Sequence, residues 1–317
     1  MSLMLFYASD IHGSDVLWRK FINAGKFYGA NILVMGGDVA GKAVVPITLG
    51  PNGHVVPHPE GTRVITDETE LAAMEKRIRD QGFYPYRTTE EELAALTSDA
   101  GARDQVFADV MRKSLEGWIA LARERLHGTG IKVYVMIGND DDPNLRDVLS
   151  GSDDTVMDPE DVVVDLGEDI TMISCGWAST TPWNSPREMT DEAFLQHLEE
   201  HVAAVPDPRR AVFNLHVPPF ASGLDQAPEL DANLRPKVAS GSVVMVPVGS
   251  RAVRSVIERY QPLLALHGHI HESRGIAKIG STVCMNPGSE YSEGVLHGAL
   301  VMLDPKKGLV GYNLTSG

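Results

Sequence analysis

At 317 residues, 43% hydrophobic and 22% charged, the chain has the length and composition of a folded protein with a sizeable core, which excludes a disordered or collagen-like polypeptide. Lysine and arginine number 28 against 43 acidic residues, a formal net charge of -15, which argues against a protein that grips nucleic acid through a basic surface. No apolar stretch approaches the roughly 18 residues of a membrane span, no basic-then-apolar segment opens the chain, and Cys175 and Cys284 are too few for a disulfide framework; a cytoplasmic protein with buried, reduced thiols is the expectation.

Short apolar runs bounded by Gly, Pro, Asn or Asp recur along the chain and predict strands. Leu3 to Ala8 comes first, and after Ser14 as a cap a helix is predicted over 15–28, with Val16, Leu17, Phe21, Ile22 and Phe27 on its buried face. Ile32 to Met35 is the second strand. Between Gly41 and Gly130 the pattern changes: Ala43 to Leu49 and His54 to Val56 flank the turn Pro51-Asn52-Gly53 and predict a hairpin. Helices follow over 67–81, over 89–97 after Thr88, and over 104–127, the last with Phe107, Val110, Met111, Trp118, Leu121 and Ala122 on one stripe. Val133 to Ile137, Val162 to Leu166, Ile170 to Cys175, Ala211 to Leu215, Leu263 to Leu266, Ser281 to Met285, Ala299 to Leu303 and Leu309 to Leu314 complete the strands. Helical stretches between the runs at 3–8, 32–35 and 133–137 imply parallel pairing, whereas the last three runs, joined only by turns, imply antiparallel hairpins. The expectation is a mixed α/β sandwich forming a single domain over 1–317, with 41–130 as a hairpin-and-helix insertion.

The chemistry-bearing residues fall where strands end. The first strand runs into Ser9-Asp10-Ile11-His12-Gly13, the second into Gly36-Gly37-Asp38, and Val133 to Ile137 into Gly138-Asn139-Asp140-Asp141. Val212 to Leu215 runs into His216, and Leu263 to Leu266 into His267-Gly268-His269-Ile270-His271. Carboxyl ends of strands are where α/β sheets form ligand crevices, so Asp10, His12, Asp38, Asn139, His216, His269 and His271 are expected to converge. Carboxylate and amide oxygens mixed with imidazoles suit Mn, Fe or Zn, and this set exceeds what one ion accepts, so two divalent ions sharing a carboxylate are expected.

This ordered set resembles the calcineurin-like metallophosphoesterases, whose pattern is Asp-x-His, Gly-Asp, Gly-Asn-His-Asp/Glu, a lone His, then Gly-His-x-His; the prokaryotic Icc-related branch is the expected place within them. Asn286-Pro287-Gly288-Ser289 is similar to the turn that often follows the last pair. The resemblance implies a four-layer sandwich, two mixed sheets with helices outside, and a hydrolase acting on phosphoric esters. It implies one ion on Asp10, His12, Asp38 and His271, and a second on Asp38, Asn139, His216 and His269, with Asp38 as bridge. The substrate class implied is a small phosphorylated molecule, nucleotides included, selected by residues 41–130. The chain departs from the pattern at Asp140, which stands where the family usually carries a His able to protonate the leaving group. Two nearby cations favour an ionised carboxylate, so Asp140 is expected to be a poor general acid.

Two other readings compete. Some members of the family have lost ligands and act as protein-binding scaffolds, whereas here every ligand is present. His197-Leu198-Glu199-Glu200-His201 matches the His-x-x-Glu-His pattern of one group of zinc peptidases, with His197, Glu200 and His201 as the site. The stretch from Thr190 to Val202 reads instead as a helix that packs through Phe194, Leu195, Leu198 and Val202 and turns its polar positions to solvent, with no third ligand signalled.

Overall fold

A computed structural model describes residues 3–58, 60–150 and 155–317. The chain runs through β1 (Leu3–Ala8), α1 (Asp15–Tyr28) and β2 (Ile32–Gly36), then β3 (Val44–Gly50), β4 (Gly53–His58), β5 (Gly61–Ile65), α2 (Glu68–Asp80), β6 (Tyr84–Thr89), α3 (Glu90–Ser98) and α4 (Ala100–Leu126). It continues through β7 (Lys132–Met136), α5 (Arg146–Ser150), β8 (Val156–Met157), β9 (Val164–Gly167), β10 (Ile170–Cys175), β11 (Ala178–Ser179), β12 (Glu188–Met189), α6 (Asp191–Ala203) and β13 (Ala211–Leu215). An arm of short strands, β14 (Gln226–Pro228), β15 (Val238–Ala239), β16 (Ser242–Val243) and β17 (Met245–Pro247), precedes α7 (Arg251–Tyr260), β18 (Leu264–Leu266), β19 (Gly275–Ile279), β20 (Thr282–Asn286), β21 (His297–Asp304) and β22 (Gly308–Ser316).

Two 6-stranded sheets form the centre, in the orders β22-β21-β1-β2-β7-β8 and β19-β20-β18-β13-β10-β9. In the first, β1, β2, β7 and β8 are parallel, and β21 pairs antiparallel with both β1 and β22. In the second, β10, β13, β18 and β20 are parallel, with antiparallel β9 and β19 at the edges. The central parallel strands are buried on both faces, which is why they read in the sequence as unbroken apolar runs. The sheets pack face to face through Leu5, Tyr7, Val34 and Tyr134 on one side and Met172, Val212, Leu264 and Val283 on the other. Helices α1 and α4 cover the outside of the first sheet and α6 and α7 that of the second, giving four layers. On the first, Trp18 stacks on Trp118 at 5.2 Å between ring centroids and donates Nε1 to the Trp118 carbonyl at 2.9 Å.

Several sequence expectations are corrected in detail. Phe27 is 80% exposed, because α1 buries its Leu17, Trp18, Phe21 and Ile22 face and Phe27 falls off that stripe. The cap of α3 is Thr89, whose side chain accepts from Glu92 N, and not Thr88. The strand expected from Val162 starts two residues later because Asp161 turns the chain through a positive φ of 64°. The last three strand runs are not successive hairpins: β20 lies in the second sheet, paired antiparallel to β19, and β21 crosses to the first, pairing with β1 and β22.

The hairpin expected within 41–130 is half of a 4-stranded sheet in the order β5-β4-β3-β6. Parallel pairing of β3 with β6 and a small core of Ile47, Val56, Ile65, Leu71, Met74 and Ile78 tie this sheet to α2. It reaches the rest of the molecule through backbone contact: a Cβ at Gly82, whose φ is 86°, would lie 2.2 Å from the His12 carbonyl oxygen. Tyr84 completes the contact by accepting a 2.7 Å hydrogen bond from Gly41 N. No helix among the described residues is long and apolar enough to cross a membrane.

Candidate metal centre

Each sequence-nominated residue lies just beyond the carboxyl end of a central strand: Asp10 and His12 after β1, Asp38 after β2, Asn139 after β7, His216 after β13, His269 and His271 after β18. Because β1, β2 and β7 are neighbours in one sheet and β13 and β18 in the other, both sheets contribute to one crevice. Sharp turns carry the side chains inward. Asp10, His12, Asp38 and His269 hold positive φ values of 58°, 39°, 49° and 64°, a strain of about 1–3 kcal/mol each that neighbouring structure must offset. Asp10 N donates to Gly37 O and His12 N to Asp38 O, both at 3.0 Å, and His269 N donates to both Asp10 carboxylate oxygens at 3.0 Å. A Cβ at Gly138 would fall 2.0 Å from Asp38 Oδ1, so only glycine lets the β7 loop pass beneath that carboxylate.

The side chains form two adjoining clusters, Asp10 with His12 and His271, and Asp38 with His216 and His269, each with one ligand atom per residue within 4.8 Å of the others. Asp38 lies between them: Oδ2 is 3.8 Å from His12 Nε2 and Oδ1 is 3.4 Å from His216 Nε2. His271 Nε2 is 3.4 Å from Asp10 Oδ1. Hydrogen bonding among these groups does not balance. His12 Nε2 and His271 Nε2 face each other at 3.1 Å, and His12 Nδ1, His216 Nε2 and the Asn139 side-chain oxygen Oδ1 are buried without a hydrogen-bond partner among the described residues. His216 Nδ1 donates to Gly36 O at 2.8 Å, which turns Nε2 toward Asp38 Oδ1; without a metal ion a proton answers this contact, since burial would lower the ring but Asp38 outweighs it and raises it to about 9. Buried carboxylates, ring nitrogens and an amide oxygen gathered at this spacing are a donor set that a cation satisfies, so the residues present fit divalent metal ions.

Electrostatics point the same way. Burial would raise the Asp10 carboxyl, but the hydrogen bond from His271 and the charges of His216 and His271 bring it to about 2. Burial likewise opposes ionisation of Asp38, and His216 outweighs it, holding the carboxyl well below the usual range. Burial lowers His12 and His269 to about 4, keeping both rings neutral and able to donate a lone pair. Asp141, at the acidic position after the Asn139 loop, is pushed up to about 7 by burial and then by the Asp38 charge. It accepts from Val39 N, Ala40 N and Gly138 N at 2.7–2.9 Å, binding two ligand loops together.

Sequence reading missed the residues that support these loops. Arg187, fully buried, pairs with Glu160 at 2.6 Å, donates to the carbonyls of Ile137 and Gly138, and lies 5.0 Å over the Trp177 ring. Its backbone N donates to the Asn139 carbonyl at 3.2 Å. Tyr291 sets its ring 4.7 Å from that of His12. Ser289 in the expected turn donates to Asp10 O at 2.7 Å, and Asn286 Nδ2 donates to the carbonyls of Gly268 and Ile270. Asp140 is clasped: Lys42 Nζ lies 2.7 Å from its Oδ2 and Ser185 Oγ donates to Oδ1 at 2.5 Å. Beside this trio a groove of about 550 Å³ is lined by Lys42, Phe107, Met111, Asp140, Pro143 and Pro186. No sequence signal marks Lys42, Ser185 or Arg187, which are single polar residues in irregular segments.

Of the peptidase-like triple, His197 and His201 meet each other and Asp161, a third possible ligand that the sequence did not signal, while Glu200 accepts from Gln196 Nε2 at 3.0 Å.

No family model matches the chain. The uncharacterized protein MJ1162 of Methanocaldococcus jannaschii is 31% identical over 122 residues, 38% of this chain and 49% of that protein, so the chain spans about half the length of the curated relative it matches. Among solved structures, one crystal structure matches with a TM-score of 0.56 at 16% identity over 99% of both chains. The crystal structure of TT1561 of Thermus thermophilus matches with a TM-score of 0.52 at 12% identity, over 100% of this chain and 99% of that one. These likenesses show a shared fold, a mixed α/β arrangement of sheets flanked by helices.

Proposed function

We propose that the chain is a metal-dependent phosphoesterase of the calcineurin-like superfamily, within its Icc-related branch by motif order alone. It would hydrolyse a small phosphate mono- or diester or phosphoanhydride, nucleotides included. The observation that carries the reading is the two adjoining His and carboxylate clusters with Asp38 between them, 3.8 Å from His12 and 3.4 Å from His216, and Asn139 Oδ1 buried without a hydrogen-bond partner among the described residues. Asp10, His12, Asp38 and His271 would hold one divalent ion, and Asp38, Asn139, His216 and His269 a second, with Mn, Fe and Zn all compatible with the donors. When bound, such ions supply Lewis acidity toward phosphoryl oxygens and lower the pKa of water enough for attack near neutral pH.

The chain's own residues then decide orientation. Lys42 carries a fixed positive charge at the mouth: burial opposes its protonation, but Asp140 outweighs this and raises its pKa. It is placed to hold a phosphoryl or leaving-group oxygen. Asp140, accepting from both Lys42 and Ser185, is an acceptor in this arrangement, which supports the expectation that it is a poor proton donor. The groove walled by Phe107, Met111, Pro143 and Pro186 offers apolar surface for the leaving group.

The test is elemental analysis of purified protein together with hydrolysis of phosphomonoesters, phosphodiesters and pyrophosphates in the presence of Mn, Fe, Zn or Mg. Two divalent ions per chain at this centre and hydrolysis abolished by Asp38→Ala are expected. Protein that binds no divalent ion there and cleaves none of these substrates would reject the reading.

A further inference from the structure

We propose that Asp161, His197 and His201 form a separate divalent-cation site of the zinc class on the α6 side of the molecule. The three residues each place one ligand atom within 4.8 Å of the others. His197 and His201 are four apart on α6 and so share a face, their ring centroids 4.4 Å apart. Asp161 reaches them from the turn before β9.

Proton accounting singles this cluster out. His201 Nδ1 lies 2.8 Å from the His197 carbonyl oxygen, which can only accept, so Nδ1 carries a hydrogen. In the neutral ring Nε2 then bears a lone pair, yet it faces Asp161 Oδ1 at 2.9 Å. Two electron-pair donors at that distance need a cation between them, either a proton or a metal ion. A proton on His201 would answer that contact alone. It would leave His197 Nε2, which is buried without a hydrogen-bond partner among the described residues, unsatisfied beside a new positive charge. A metal ion answers both, taking the two imidazoles and one carboxylate oxygen together. The His197 ring suits this role, since burial, and after it the neighbouring His201, lower its pKa and keep it neutral.

The surroundings match the outer sphere of a metal site. Asp161 Oδ2 is held by Arg146 Nη1 at 2.5 Å, which leaves Oδ1 for an ion, and the His201 Nδ1 donation to a carbonyl fixes that ring's tautomer and orientation. The remaining side of the cluster opens on a groove of about 190 Å³ lined by Val162, Val163, Ile173, Glu200 and Ala204, room for water or one more oxygen donor. Glu200, which accepts from Gln196, lines this groove and is not among the three residues that meet.

The probe is zinc or cobalt(II) added to tag-free, full-length protein. With Asp38→Ala in the background, which removes the carboxylate shared at the other centre, one equivalent of zinc should remain bound, and cobalt should give the visible absorption of a low-coordinate N/O site. Adding His201→Gln should abolish that equivalent. Adding Asp161→Asn, which keeps size and shape, should weaken it at least about tenfold even if the histidine variant folds poorly. In otherwise unaltered protein, His197→Ala should cost one equivalent while phosphoesterase turnover persists. Equal zinc content with and without His197 and His201, or a His201 ring that stays doubly protonated at neutral pH in saturating zinc, would overturn the proposal.

Discussion

Asp38 offers one oxygen toward each cluster, Oδ2 toward His12 and Oδ1 toward His216, whereas His216 has a single inward nitrogen, 3.4 Å from Asp38 and 3.9 Å from Asp10, and so can serve one ion. Removing a shared ligand should therefore differ in kind from removing an unshared one. Asp38→Ala is expected to lose both ions and His216→Ala mainly the second, as read by metal content of the purified variants; equal losses would reject the shared carboxylate. Asp140 poses the next question at this scale. Each of its oxygens accepts a hydrogen bond, from Lys42 and from Ser185. The rate should fall steeply as the leaving group becomes more basic, with aryl esters and phosphoanhydrides fast and alkyl esters slow. Asp140→His should flatten that slope, helping alkyl esters by up to about 100-fold. A parent slope that is already shallow, and steepens only in Asp140→Asn, would make Asp140 the donor.

Among the elements, the β7 loop that carries Asn139 depends on a side chain from the β11–β12 connection. Arg187 and Glu160 are a buried ion pair, and Arg187 also holds the Ile137 and Gly138 carbonyls. Truncating one partner strands the other charge in the interior, at a cost of about 3–5 kcal/mol. Arg187→Met is expected to lower stability by that order and to weaken the ion bound near Asn139, while Arg187→Met with Glu160→Leu should recover much of the stability but not the metal affinity. Urea denaturation with metal analysis separates the two effects, and a single variant as stable as the parent would show that the pair does not position the loop. The region 41–130 needs a different view from the one its hairpin suggests. Since β3 is paired on both edges, by β4 and β6, cutting out residues 44–56 would remove the centre of a sheet and, with Ile47 and Val56, a third of its core. Substitutions on the groove wall, Phe107→Ala among them, probe substrate selection without that damage.

For the molecule as a whole, the centre draws on five strands in both sheets, so bound ions would cross-link the two halves of the sandwich. Ligand linkage puts the stabilisation at about 2.7 kcal/mol when free metal is a hundredfold above Kd. Chelation should lower Tm accordingly. Acid acts on several groups here. His12, His267 and His269 are lowered to about 4 by burial, against 6.5 as the unperturbed value. At these three the unfolded chain takes up protons first as pH falls, so the stability they contribute is present above pH 6.5 and lost as pH drops toward 4. His216, which burial would lower but Asp38 raises to about 9, and Asp141, raised to about 7 by burial, contribute with the opposite sign. Protons compete with metal at His12 and His269 over the lower window. NMR titration of the three rings from pH 7.5 to 5, with and without chelator, checks this; rings that protonate near pH 6.5 would contradict the buried neutral histidines.

The frame of the molecule and the inner layer of its site were legible from the residues alone. Strands buried on both faces must be apolar throughout, so β1, β2, β7, β10, β13 and β18 stand out as runs, and the polar residues closing all of these but β10 mark where the crevice lies. Helices α1, α2 and α4 were legible from periodicity. Whatever depends on partners distant in sequence emerged only on folding. The hand-over of β21 from one sheet to the other, the assembly of β3 to β6 and the exposure of Phe27 follow from which faces meet, and local pattern does not encode that. The same holds for Lys42, Ser185, Glu160, Arg187 and Asp161. Each acquires its role from a neighbour brought close by folding, 98 positions away for Lys42 and Asp140, and 40 for His201 and Asp161. A lone polar side chain in a loop carries no periodic signal, so only the packed structure shows that its charge or hydrogen bond has a counterpart.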